Sequence, residues 1–370
     1  MTSSPLRVCI ILGTRPEAIK LAPVIQHFRQ DPAFATQVVL TGQHREMVAQ
    51  VMDLFGIEAD HDLAIMQHGQ TLTDITQRSL CGLEKLFQEL KPQIVLVQGD
   101  TTTAFAAALA AFYQQIPVGH VEAGLRTDSI YNPYPEEANR RLISQITQLH
   151  FAPTSLSVEN LERSGVLGKI YNTGNTVIDA LLNVAARQPA CPVAGLDWDS
   201  HRVILSTVHR RENWGTPLKD IAQGFLSVLD KFSDAALLLP LHRNPTVREP
   251  LQAILGDHPR VFLTEPLDYA ELVGAIQRSY LLLTDSGGLQ EEAPSLGKPV
   301  LVLRETTERP EAVMAGTAKL IGTDPDSILR HAADLFSQPD AYTKMATAIN
   351  PFGDGHASER IAQAVKDFLL

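Results

Sequence analysis

The sequence is poor in the residues that would tie it to a special environment. Its 370 residues include only three cysteines, Cys9, Cys81 and Cys191, odd in number and far apart. That excludes a disulfide framework or a cysteine-based zinc site and points to a reducing, cytoplasmic setting. Basic residues are in deficit, with 31 Lys and Arg against 42 Asp and Glu and a formal charge of −11. Nucleic acid and anionic membrane both need a basic face, so neither is an expected partner, whereas an anionic small molecule held at one basic spot stays open. No apolar run approaches the roughly 20 residues that cross a bilayer, and Met1–Arg7 lacks the basic-then-apolar order of a signal peptide. No two histidines stand four apart, and no paired cysteines or Asp-rich loop occur, so no metal is expected. Neither G-x-G-x-x-G nor G-x-x-x-x-G-K-[ST] is present, which leaves a nicotinamide dinucleotide or a P-loop nucleotide unsupported.

What is present is a long alternation of short apolar runs with longer amphipathic stretches. The runs of the first half are Val8–Leu12, Gln37–Leu40, Ile94–Val97, Pro117–Val121, Leu149–Ala152 and Ile170–Thr173. After a loose stretch over 185–201, which holds Pro189, Pro192 and Gly195, come Arg202–Leu205, Ala236–Leu239, Val261–Leu263, Leu281–Leu283, Val300–Leu303 and Lys319–Ile321. Near-continuous apolar strands separated by helices predict parallel sheet covered on both faces, built from βαβ units. The length suits about two domains. The hinge is expected near Thr173–Asn183, where Gly174 follows the last strand of the first series, and the terminal helix over 357–370 could pack on either half.

Ligands of open parallel sheets bind beyond the carboxyl ends of the strands, so the residues just after each run test for function. In the first half these are Gly13–Glu17 with Lys20 one turn on, Thr41–His44, Gly99–Thr103 and Glu122–Arg126; in the second, Thr207–Asn213, Leu241–Pro245, Thr284–Gly288 and Arg304–Glu305. Nearly all carry ionisable groups, and two such rims facing each other would form a cleft. Ser286, Gly287 and Gly288 open a stretch whose backbone N–H groups suit a phosphate, although Ser-Gly-Gly is also a common turn. Arg15 and Lys20 could neutralise a diphosphate, as could Arg210 and Arg211. A cation at a helix start is unfavourable unless an anion compensates it, which favours a functional Arg15. Asp100, Glu122 and Glu136 are the carboxylates of interest. Brought close in a partly dry cleft they would raise one another's pKa into the range of a useful acid or base, while Glu136, at a helix start, could instead serve only the dipole. His209 and His242 could be functional or simply satisfied structural histidines.

Taken together, Gly13–Lys20, Gly99–Thr103, His120–Thr127, Pro135–Arg140, His209–Asn213, Thr284–Lys298 and Thr306–Ala312 resemble the non-hydrolysing UDP-N-acetylglucosamine 2-epimerases of bacteria, over almost the whole chain. The resemblance implies the glycosyltransferase-B fold, an α/β architecture of two Rossmann-like domains facing a central cleft. It puts the first domain at 1–174, with the helix 357–370 returning to it, and the UDP-binding domain at 175–356. It implies reversible interconversion of UDP-N-acetylglucosamine and UDP-N-acetylmannosamine by anti elimination of UDP and re-addition through 2-acetamidoglucal, without metal or redox cofactor. By the same resemblance Asp100, Glu122 and Glu136 supply acid and base, and His209 with Arg15 stabilises the departing diphosphate. Ser286, Gly287 and Gly288 would hold the phosphates, Glu292 the ribose hydroxyls, and Arg309 and Lys20 other polar groups of the substrate. A second UDP-N-acetylglucosamine, acting as an activator, would meet Gln43, Arg210 and His242, and a homodimer is implied. The chain departs from the family pattern at Glu46 and Gly69, where regulated members carry Gln and Arg, so activation stays open. It departs also at Gln98 and Asn132, where His and Ser are usual. A glycosyltransferase of the same fold, a hydrolysing 2-epimerase and a non-catalytic UDP-sugar sensor are the competing readings.

Overall fold

The structure, a computed structural model, describes residues 4–42 and 45–370. The chain divides into two compact units, 1–180 with 352–370, and 181–351.

The first unit runs β1 (Leu6–Leu12), α1 (Arg15–Gln30), β2 (Phe34–Leu40), α2 (Arg45–Phe55), β3 (His61–Asp62), α3 (Leu72–Leu90), β4 (Ile94–Gln98), α4 (Thr102–Tyr113), β5 (Val118–Val121), α5 (Glu136–Ile146), β6 (Leu149–Ala152), α6 (Ser155–Arg163), β7 (Lys169–Asn172) and α7 (Thr176–Ala185). Its 7-stranded sheet has the order β3-β2-β1-β4-β5-β6-β7, and every pairing is parallel. Strands buried on both faces must be apolar along their length rather than alternating, and β4, Ile-Val-Leu-Val-Gln, is buried at every position. One face of the sheet, with Cys9, Ile11, Val95 and Val97, packs against Leu83 and Phe87 of α3 and the alanines of α4. The small side chains of α4 let that helix lie close on the sheet.

The second unit runs β8 (Arg202–Thr207), α8 (Thr216–Lys231), β9 (Ala235–Pro240), α9 (Pro245–Leu255), β10 (Val261–Thr264), α10 (Tyr269–Arg278), β11 (Leu281–Thr284), α11 (Gly287–Glu292), β12 (Val300–Val302), α12 (Pro310–Ala315), β13 (Ala318–Leu320), α13 (Pro325–Ser337) and α14 (Pro339–Ala346). Its sheet is 6-stranded, in the order β10-β9-β8-β11-β12-β13, and again parallel. Ile204, Leu237, Leu239, Leu281, Leu283 and Leu301 meet Phe225, Val228 and Leu229 of α8 in its core. The chain then returns to the first unit, where α15 (Ala357–Leu369) packs on α1 and Lys366 Nζ bonds Asp31 Oδ2 at 2.9 Å. The division between units falls inside α7, between Ala180 and Leu181.

Both sheets are doubly wound Rossmann-like sheets, as the run pattern predicts, with the crossover order of each reversing once: at β1/β4 in the first unit and at β8/β11 in the second. Those reversals open the crevice at the strand ends where such sheets take ligands. One element departs from the expected pattern. Ser286 opens only the six-residue α11, continued by a 3-10 turn at Ala293–Leu296. Pro294 and the left-handed Gly297 stop a longer helix there.

Candidate active site

The crevice of the first unit is built by the turns after β1, β4 and β5. Thr14 caps α1, and the N3 residue Glu17 reaches back to it: Glu17 Oε2 accepts the N–H groups of Gly13 (2.8 Å) and Thr14 (2.7 Å). Its other oxygen takes the Thr101 hydroxyl at 2.5 Å. Burial pushes the Glu17 carboxyl up, against the pull of these hydrogen bonds. This one carboxyl ties the turn that carries Arg15 to the turn that carries Asp100. Arg15 itself opens α1, half-buried.

Glu122 follows β5 directly, buried, with a backbone φ of +63°. The left-handed region costs a side chain of this kind about 1–3 kcal/mol, and such strain persists where the surroundings over-determine it, often at functional sites. The surroundings here are specific. Lys20 Nζ donates to both carboxylate oxygens at 2.6 Å, Asn175 Nδ2 donates at 3.3 Å, and Gln98 Nε2 donates to Oε2. Gly99, at φ +70°, lies beside it: a Cβ there would stand 3.9 Å from Glu122 Oε2. Because β4 and β5 pair with Gln98 opposite Val121, Asp100 and Glu122 emerge from neighbouring strand ends.

Asp100 is held by α5. Arg140 Nε donates to Asp100 Oδ2 at 2.8 Å, and Asn139 Nδ2 to its backbone carbonyl at 2.8 Å. Glu136 lies one helical turn before Arg140, at the start of α5, with its Oε2 buried and without a hydrogen-bond partner. A buried, unpaired carboxyl oxygen is costly and is more than dipole compensation requires. His120, on β5, donates from Nε2 to the Gly99 carbonyl at 2.7 Å, and burial pushes its pKa down to about 4. The ring is therefore neutral at pH 7, and since a carbonyl can only accept, its single proton sits on Nε2.

In the second unit the crevice lies between the turns after β8 and β11. Asp285, fully buried at the end of β11, accepts the backbone N–H of His209 (3.0 Å) and of Arg210 (2.9 Å) and the Asn213 amide (3.0 Å). His209 Nδ1 lies 3.2 Å from Asp285 Oδ1. Burial works to raise the Asp285 pKa, but His209 and the amide donors outweigh it and hold the carboxyl low. A buried carboxylate on Nδ1 fixes the orientation of an imidazole and leaves Nε2 for other work. The His242 ring stacks on His209, centroids 5.9 Å apart, and its Nδ1 accepts the Asn244 N–H at 3.2 Å. Burial, then the nearby His209, lowers its pKa. A Cβ on Gly287 would lie 3.4 Å from Arg210 Nη2 and 4.0 Å from the Arg309 guanidinium, so two cations flank the Ser286–Gly288 turn. Arg210 meets Glu308 at 3.5 Å, Arg309 bonds Glu291, and Glu292 accepts the Tyr269 hydroxyl at 3.0 Å.

The structure thus gathers Arg15, Lys20, Asp100, Glu122 and Glu136 at the strand ends of the first unit, and His209, Arg210, His242, Ser286, Gly287, Gly288, Glu292 and Arg309 at those of the second. Gln43 lies outside the described residues. Glu17, Asn139, Arg140 and Asp285 join the site without a role expected from the sequence. Glu17 and Asp285 do carry a signal, as acidic residues in the segments that follow apolar strands. Among the described residues no three His, Cys, Asp or Glu come together as a metal site, and no helix is long and apolar enough to cross a membrane.

Comparison with known proteins follows the same lines. Residues 26–366 match the family model described as UDP-N-acetylglucosamine 2-epimerase. The UDP-N-acetylglucosamine 2-epimerase of Escherichia coli K12 is 49% identical over 372 residues, covering 98% of this chain and 99% of its own. The crystal structure of UDP-GlcNAc 2-epimerase from Neisseria meningitidis bound to UDP-GlcNAc is similar with a TM-score of 0.87 at 47% identity, covering 98% of this chain and 100% of the other. A glycotransferase of kitacinnamycin, 12% identical with a TM-score of 0.68 over the whole of both chains, shares the fold alone. The fold is of the glycosyltransferase-B type.

Proposed function

Because this chain belongs to the UDP-N-acetylglucosamine 2-epimerase family, we propose that it interconverts UDP-N-acetylglucosamine and UDP-N-acetylmannosamine without hydrolysing either. The observation that carries the reading is the strained Glu122 carboxylate gripped by Lys20 beside the Asp100 turn. A non-catalytic sensor has no use for so costly an arrangement of ionisable groups, and a transferase would need one base and an acceptor groove.

The proton at C2 of the sugar is weakly acidic, so its removal has to be coupled to departure of UDP from C1. A carboxylate takes the C2 proton, the C2–H electron pair forms the C1–C2 double bond, and the C1–O bond breaks with its electrons on the β-phosphate. That leaves 2-acetamidoglucal and UDP. Return of a proton to the opposite face of C2, with UDP re-adding at C1, gives the epimer. Asp100, Glu122 and Glu136 perform these proton transfers, which need groups on two faces of one carbon. His209, Arg15 and the donors around Ser286–Gly288 stabilise the charge that gathers on the diphosphate. Glu292 takes the ribose hydroxyls, and Arg309 a further polar group of the nucleotide sugar.

The same reading extends to a cytoplasmic homodimer that supplies N-acetylmannosamine units for surface polysaccharide. It includes a second UDP-N-acetylglucosamine acting as activator on Gln43, Arg210 and His242. A sigmoidal rate dependence on substrate would support the second site, and a hyperbolic one would remove it.

Incubation of UDP-N-acetylglucosamine with the protein in D2O tests the central reaction. Epimerisation is expected to yield UDP-N-acetylmannosamine with deuterium at C2 in the recovered nucleotide sugars. Free N-acetylmannosamine with UDP would indicate the hydrolysing reaction, and transfer to an acceptor without label at C2 would indicate a glycosyltransferase.

A further inference from the structure

We propose that Arg140 is a positioning residue for Asp100, an assignment that rests on the acid–base role of Asp100 given above. Among the described residues, the Asp100 carboxylate has one hydrogen-bonding side-chain partner, Arg140 Nε on Oδ2 at 2.8 Å. Oδ1 accepts no hydrogen bond from them and is left for the substrate. A proton-transfer group needs both conditions, one oxygen fixed and the other available.

The fixing is effective because the guanidinium is anchored behind. Arg140 Nη1 donates to Glu137 Oε2 at 3.0 Å, and the Glu137 side chain is 0% exposed. Glu137 in turn takes Arg141 Nε at 2.7 Å and the Thr127 N–H at 3.1 Å. A planar fork with two edges committed to two carboxylates sets the rotation of the mobile one, which a point-charge ammonium would not do. Burial is graded along the relay: Glu137 is sealed, Arg140 is 14% exposed and Asp100 24%. The sealed carboxylate is the foundation and the exposed one is the working end. The adjacent Asn139 holds the Asp100 backbone carbonyl at 2.8 Å, so α5 grips both the main chain and the side chain of this residue. Arg140 thereby couples the start of α5, which carries Glu136, to the end of β4, which carries Asp100.

The test compares wild type, Arg140→Ala, Arg140→Lys, Asp100→Asn and the double variant Asp100→Asn/Arg140→Ala, measuring kcat and KM for epimerisation, UDP affinity and the thermal midpoint. Misplacing a reacting group by about 1 Å costs on the order of 100-fold, so Arg140→Ala is expected to lose kcat by about that factor with KM and UDP affinity within about threefold. Arg140→Lys is expected to fall between, and added guanidinium ion to restore part of the Arg140→Ala rate. In the Asp100→Asn background, removing Arg140 is expected to cost less than about threefold more, because two residues acting as one unit are not additive. Near-normal kcat in Arg140→Ala, a rise in KM with kcat unchanged, or a full independent loss in the double variant would overturn the positioning role. A folded Arg140→Lys with wild-type kcat would do the same even if Arg140→Ala gives no folded protein. A wild-type protein that does not epimerise instead overturns the proposed function, and with it this role.

Discussion

The Lys20 ammonium lies 2.6 Å from both oxygens of the Glu122 carboxylate, across 102 positions of sequence. The pair is largely buried, with 19% of the lysine side chain and 6% of the glutamate exposed. Breaking it from either end leaves a partner charge in a dry place, which is more damaging than losing the pair altogether. Glu122→Gln is expected to keep UDP affinity within about threefold and to lower kcat by at least about 100-fold, by general acid–base magnitudes. Lys20→Gln is expected to lower kcat as well. Steady-state rates with calorimetric UDP titration check both, and a near-normal kcat in Glu122→Gln would remove it from the proton-transfer groups.

Asp285 makes a second prediction, in the other unit. Its carboxylate collects two backbone N–H groups and an amide besides the His209 ring. Asp285→Asn keeps the size and removes the charge. Replacement of such an orienting carboxylate is expected to cost kcat about 10–100-fold and to lower stability, because an amide NH2 would face donors. Loss of stability with unchanged kcat in the folded fraction would limit Asp285 to structure.

The pH dependence of stability has a definite sign. His120 and His150 stand opposite one another on β5 and β6, both buried. Burial pushes their pKa values down to about 4 and about 3, against about 6.5 in an unfolded chain. Below pH 6.5 the unfolded state binds protons that the folded state refuses, so stability is full above that value and falls as the pH drops toward the folded values. By pH 5 each histidine removes about 2 kcal/mol. Urea unfolding of wild type and His150→Leu at pH 7 and pH 5 checks this. The variant should lose less on acidification, and equal losses would contradict the account.

Gly124 closes the β5 turn at φ +97°, where a Cβ would stand 2.3 Å from the Ser157 carbonyl oxygen in the first turn of α6. Neither the backbone conformation nor the space admits a side chain. Gly124→Ala is expected to destabilise the first unit by about 2–4 kcal/mol, read as a lower thermal midpoint. An unchanged midpoint would refute the close approach.

Much of this architecture could be read from the sequence because parallel strands buried on both faces cannot hide their apolar runs. The exception, β3, is two polar residues at the sheet edge, too short and too hydrophilic to stand out. The carboxylates proposed for proton transfer were legible for a related reason: Asp100 and Glu122 lie in the turns just after β4 and β5, where a doubly wound sheet puts its ligand. What could not be read was the pairing. Lys20 carries the signature of a phosphate-binding cation, and nothing in the local pattern shows its bond to Glu122. Arg140 and Glu137 look like an ordinary charged helix start, and only the docking of α5 against the end of β4 makes them partners of Asp100. Side-chain partnerships across 40 or 100 residues depend on tertiary packing, which local pattern does not encode.

The return of α15 to α1 sets an order of assembly. Residues 181–351 contain everything their own sheet requires, whereas the first unit needs 352–370 to cover α1. On the ribosome, the segment made first therefore waits for one made after the whole second unit, so the later-synthesised unit is the earlier to be complete. Until then α1, which carries Arg15 and Lys20, lacks the cover that α15 gives it.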